Sequence, residues 1–146
     1  MNLYAESSAV LSWLFDDQQA ESVREALSSA EIVLASDLTI VECDRVLVRN
    51  VYSGRLSEAV AARRATELGQ VAAHWRVMRL DTEISERVRR PFPGEPLRTL
   101  DALHLASALM ALRTVPRLAL LSLDKRVRRS GQQLGLTLLP SKENSA

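Results

Sequence analysis

Five short apolar runs alternate with longer helical stretches, and no other feature constrains the fold of this chain as much. Leu3-Tyr4-Ala5, Ile32-Val33-Leu34-Ala35 and the segments 76–80, 117–123 and 136–139 read as strands. A strand buried on one face alternates apolar and polar residues, whereas one covered on both faces is apolar nearly throughout. Near-continuous apolar strands separated by helices predict an α/β chain. Its mostly parallel sheet of about five strands carries helices on both faces, a three-layer αβα sandwich.

Helix signals fill the intervals. Ser7 or Ser8 can cap a helix through Val10, Leu11, Trp13, Leu14 and Phe15. The pair Asp16-Asp17 starts a second, with Ala20, Val23 and Leu27 at helical spacing. Ser36 and Asp37 open a helix to about Tyr52, which Ser53-Gly54 closes. Ser57 opens one to about Ala73, burying Val60, Leu68 and Val71. Asp81-Thr82 opens a short one that ends in Arg87, Val88, Arg89 and Arg90. Three prolines make 91–96 a loop. Helices over 99–113 and 125–134 complete the set. We read residues 1–140 as one domain and 141–146 as a flexible tail.

The 146 residues suffice for one domain with a substantial core. A net charge of +1 provides no global field toward nucleic acid or an anionic membrane, so any polyanion contact must come from local cations. The single cysteine, Cys43, excludes an intramolecular disulfide. No basic-then-apolar leader precedes Glu6, and no apolar stretch reaches the ~20 residues of a membrane span. A cytoplasmic protein with no membrane partner is expected.

Four carboxylates stand where a solubilising charge is out of place. Glu6 closes the first apolar run and Asp124 the fourth. Each could simply cap the next helix, but ligands of open α/β sheets also bind at the carboxyl ends of strands. Glu42 shares a helix face with Leu38 and Val46, where a carboxylate is costly unless paired; Arg45 and Arg49 are within reach. Asp101 sits in the first turn of an almost wholly apolar helix, and His104, one turn on, could bond to it. Two carboxylates ~4 Å apart repel by about 1 kcal/mol in water and about 4 kcal/mol at an effective dielectric near 20. If the fold gathers all four, the pocket requires a cation.

The segments carrying these acids resemble a PIN domain, in particular the VapC-type ribonuclease toxin of a VapBC toxin–antitoxin pair. "YAESSAVLSWL" is similar to the family's first strand and helix, and "SDLTIVECDRVL" to its second acidic segment. "LRTLDALHLASAL" is the most specific match, with Asp101 in the family's acidic position. "LLSLDKRVRRSGQQLGL" resembles the last segment, with Asp124 in the Ser/Thr-x-Asp position. The likeness covers nearly the whole chain and implies a PIN-like fold.

It further implies an endoribonuclease that hydrolyses RNA with Mg²⁺ or Mn²⁺ and water. Glu6, Asp101 and Asp124 would bind the principal ion, Asp124 directly or through water. Glu42 would bind a second ion or act as base. Ser7, Ser122 and His104 would support these groups from behind, and Lys125, Arg126, Arg128 and Arg129 could contact RNA phosphates. Arg87, Arg89 and Arg90 form a second basic cluster, and either cluster reads equally as a solvated helix face. Trp13 and Trp75 read as core, as does Cys43. The implied partners are an RNA substrate, a second copy of the chain, and a cognate VapB-like antitoxin whose tail covers the acidic pocket and often inserts an arginine there.

The family's first acid is normally Asp. Glu6 carries its carboxylate about 1.5 Å farther, whereas Mg²⁺ prefers near-ideal octahedral geometry. The alternative is therefore a catalytically weakened PIN-like interaction or RNA-binding module. A receiver-like phosphoacceptor built on Asp81, Asp124 and Lys125 ranks last, because Glu6 is followed by Ser7-Ser8 instead of a second acid.

Overall fold

The computed structural model describes residues 1–141, so the expected tail, Ser141 apart, lies outside the described residues. The elements follow in the order β1 (Asn2–Ala5), α1 (Ser7–Phe15), α2 (Ala20–Ser29), β2 (Ile32–Ser36), α3 (Asp37–Tyr52), α4 (Glu58–Ala72), β3 (Arg76–Met78), α5 (Thr82–Val88), α6 (Thr99–Leu112), β4 (Leu118–Leu121), α7 (Lys125–Gln133) and β5 (Thr137–Leu139). The five strands form one sheet in the order β3-β2-β1-β4-β5. Every pairing is parallel, where a mostly parallel sheet was expected.

The strand period divides the core into two layers. Tyr4, Leu34, Leu118 and Leu120 face one side and pack with Ile84, Ala102, Leu105 and Val127 of α5, α6 and α7. Their neighbours Leu3, Ala5, Val33, Ala119 and Leu121 face the other side, against α1–α4 through Val10, Val23, Cys43 and Leu68. Each fully buried Leu or Val contributes roughly 1.5–3 kcal/mol, so both faces of β1 and β4 hold the sandwich together. Trp13 and Trp75 pack half-buried against the second layer, as the core reading expected.

Two boundaries differ from expectation. Asp16 does not start α2; it closes α1 in the left-handed region at φ 49°, its N–H bonded to the carbonyls of Ser12 and Trp13. Helix α2 therefore begins at Ala20. The cap of α1 is Glu6, not Ser7 or Ser8. On α4, Ala61 and Leu68 are buried, whereas Val60 and Val71 are only half-buried.

The chain runs outward from β1 to β2 and β3, then returns to the opposite side of β1 for β4 and β5. The strand order thus reverses between β1 and β4. In open parallel sheets that reversal opens a crevice at the carboxyl ends of the two strands. Glu6 follows β1 directly and Asp124 follows β4 by three residues, so the topology delivers both to that crevice.

Candidate active site

The first acid is embedded in hydroxyls. Glu6 is buried, and its backbone N–H donates to Leu121 O at 3.0 Å, fastening the end of β1 to that of β4. Its Oε1 accepts the N–H of Ser8 at 3.1 Å. Its Oε2 accepts the hydroxyls of Ser122, at 2.7 Å, and of Ser8. The Ser8 hydroxyl in turn accepts the N–H groups of Leu123 at 2.9 Å and Asp124 at 3.1 Å. Two serines thus join the first acid to the backbone of the last.

The second acid is held from behind. Glu42 Oε1 accepts the Ser7 hydroxyl at 2.8 Å and lies 2.5 Å from His104 Nε2. A carboxylate only accepts, so Nε2 carries the proton of that contact. His104 Nε2 is also 2.9 Å from Ser7 Oγ and 3.9 Å from Glu6 Oε1. The opposite ring nitrogen meets the Tyr4 hydroxyl at 3.0 Å, which donates to Ser36 Oγ at 2.9 Å. Burial works against the charge of Glu42. Hydrogen bonds from His104 and Ser7, with the charges of His104 and Arg98, prevail and hold its carboxyl below the ordinary glutamate value. Glu42 therefore turns to His104 and Ser7, not to Arg45 or Arg49. Desolvation drives Tyr4 the other way, raising its phenol well above the usual value.

The third and fourth acids share a cation. Asp101 is in the first turn of α6, and Arg98, the residue before that helix, folds back onto it. Arg98 Nε reaches Asp101 Oδ2 at 3.0 Å and Nη2 reaches Oδ1 at 3.3 Å. The same Nη2 lies 3.3 Å from Asp124 Oδ2. Asp124 Oδ1 caps α7, accepting the N–H groups of Arg126 at 2.9 Å and Val127 at 3.0 Å. Asp101 is thus paired with Arg98, while His104 turns inward to Tyr4 and Glu42.

The four acids and their three supporting residues are therefore linked at one end of the sheet through Ser8, His104 and Arg98. They do not form a closed cage: among the described residues, no three Asp, Glu, His or Cys side chains are grouped to hold an ion. Lys125, Arg126 and Arg129 are exposed on α7. Arg128 is committed elsewhere, its Nη1 donating to the carbonyls of Ser122 and Leu139 and its Nη2 to that of Pro140. Arg87 lies over the Phe92 ring at 3.9 Å and bonds to the carbonyls of Arg90 and Pro91. Asp81 caps α5 through the N–H of Ile84. Sequence reasoning missed Ser8, Arg98 and Tyr4. The Ser7-Ser8 pair after Glu6 was the one available signal, since a hydroxyl two residues after a strand-end acid can reach its carboxylate.

Known proteins share this architecture. The chain is 29% identical over 137 residues to Ribonuclease VapC46 of Mycobacterium tuberculosis, covering 94% of this chain and 95% of that protein. The crystal structure of the M. tuberculosis sarcin-ricin loop cleaving toxin VapC20 superposes with a TM-score of 0.66 at 15% identity, covering 88% of this chain and 95% of that one. A toxin–antitoxin complex from Klebsiella pneumoniae contains a chain with a TM-score of 0.55 at 19% identity, covering 85% and 87% respectively. No helix among the described residues is long and apolar enough to cross a membrane. The PIN domain family profile matches residues 3–132, and the chain belongs to that family.

Proposed function

We propose that this chain is an endoribonuclease of the VapC type that hydrolyses RNA phosphodiester bonds with Mg²⁺ or Mn²⁺. The observation that supports this most is the positive charge shared by Asp101 and Asp124 at the crevice between β1 and β4. The guanidinium is a stand-in: two carboxylates from separate elements already hold one cation. An oxygen-only donor set suits a hard divalent ion better than zinc.

In this reading Asp101 and Asp124 hold the ion, with Glu6 beside them through Ser8 and Ser122. When bound, such an ion lowers the pKa of a water and stabilises the leaving oxygen. Glu42, kept anionic and aimed by His104 and Ser7, accepts the proton of the attacking water. Lys125, Arg126 and Arg129 hold RNA phosphates, which makes affinity fall with salt. Arg128 is left out of this set because its donors serve backbone carbonyls.

Similarity to the M. tuberculosis ribonuclease VapC46 supports ribonuclease activity, and the Klebsiella toxin–antitoxin complex supports an antitoxin as protein partner. We infer a type II toxin that acts in the cytoplasm as a homodimer. Purified chain, free of any partner, should cleave labelled RNA in Mg²⁺ or Mn²⁺ and stop in EDTA. Asp101→Asn should be inactive with an unchanged circular dichroism spectrum. Cleavage that persists in EDTA would defeat the reading.

A further inference from the structure

Arg98 engages the oxygens of Asp101 and Asp124 that a metal would need. Asp124 Oδ1 is already spent on the first turn of α7, which leaves Oδ2, and Oδ2 is the atom Arg98 reaches. Both oxygens of Asp101 go to the same guanidinium. The Asp101 side chain is 8% exposed and that of Asp124 25%, whereas that of Arg98 is 63% exposed. The arginine is therefore the outer wall of the pair, held by charge and little packing.

Its delivery is braced. Arg98 follows the loop with prolines at 91, 93 and 96, and the Glu95 carboxylate ties that loop down by accepting the N–H groups of Phe92 at 3.1 Å and Leu97 at 2.7 Å. The guanidinium is thus kept beside the acids at high local concentration, with its outer side open to solvent.

We propose that Arg98 is a displaceable internal counter-ion: it neutralises Asp101 and Asp124 until a divalent ion takes their oxygens. The inference rests on the metal-dependent reading above and adds a regulator to it. Without the ion, Arg98 relieves the repulsion of the acid pair; with it, the guanidinium leaves toward solvent. The chain thereby sets its own metal threshold, because each ion bound must break three charged contacts.

Mn²⁺ titration calorimetry of the intact chain tests this. Arg98→Gln should bind Mn²⁺ more tightly than wild type by about fivefold, the equivalent of one partly exposed ion pair. Arg98→Lys, which keeps the charge but loses the fork, should fall between them, and Arg63→Gln on α4 should match wild type. In ¹⁵N-labelled protein, the Arg98 Nε–H signal, assigned by its loss in Arg98→Gln, should shift in step with Mg²⁺ occupancy. Equal or weaker Mn²⁺ binding by Arg98→Gln, or an Nε–H signal unmoved at saturating Mg²⁺, would overturn the role of Arg98 alone. Failure of wild type and Arg98→Gln alike to bind millimolar Mn²⁺ would overturn the metal reading and this one with it.

Discussion

His104 Nε2 lies 2.5 Å from Glu42 Oε1, and this contact joins the buried helix α6 to the half-buried acid of α3. Behind it the relay continues through Tyr4 to Ser36, so a single imidazole connects the crevice to the interior of the sheet. His104→Leu would leave Glu42, Ser7 and Tyr4 each short of a partner, and Ser7 and Tyr4 are buried away from water that could replace it. Unmet buried polar groups cost about 1–3 kcal/mol each. Urea unfolding should show a loss of about 2 kcal/mol or more. An unmoved midpoint would mean that the relay contributes nothing to the fold.

The depressed pKa of Glu42 fixes a direction for acid stability. The folded chain takes up this proton at lower pH than the unfolded chain does. The contribution is therefore complete above the unfolded value of about 4.3 and is lost as pH falls through the depressed folded value. Glu42→Gln removes the titrating group, so the decline of stability below about pH 5 should be shallower than in wild type. An identical acid limb in chemical denaturation would contradict the assignment.

Tyr4 gives the opposite limb. Its phenol is raised by burial, so its stabilising effect is full below the unfolded value of about 10 and is lost as pH climbs above it. In a Tyr52→Phe background, phenolate absorbance should appear only together with loss of the helical circular dichroism signal. Phenolate formation in a still-folded chain would show that Tyr4 is open to hydroxide.

Ser8→Ala tests the joint between the first and last acids. The hydroxyl donates to Glu6 and accepts two backbone N–H groups from the turn that ends in Asp124. Its removal should destabilise the fold by about 1–3 kcal/mol and lower kcat for RNA cleavage in the population that remains folded. Unchanged kcat would confine Ser8 to holding the two strand ends together.

The central strands were legible because both faces of β1, β2 and β4 are covered, which leaves short apolar runs bounded by helix-capping residues. The edges were harder: β3 and β5 have three residues each, and the expected strands over 76–80 and 136–139 overran them. The start of α2 was misplaced because Asp16 reads as an opener, whereas its left-handed backbone makes it a stop. The acids were visible as charges in apolar company. Their partners were not, because Ser8 and Asp124 are 116 residues apart, as His104 and Glu42 are 62 apart, and only the sheet brings them together. Arg98 follows a proline loop and reads as an ordinary helix flank. Its meaning appears once α6 and α7 set Asp101 and Asp124 on either side of one guanidinium.

The most direct test compares Asp101→Asn, Asp124→Asn and the double variant in kcat for RNA cleavage at saturating Mn²⁺. If both carboxylates hold one ion, each single change should cost about 100-fold or more, and the double change should cost scarcely more than either. Cleavage at the wild-type rate by either single variant, or losses that multiply in the double variant, would contradict a shared cation site.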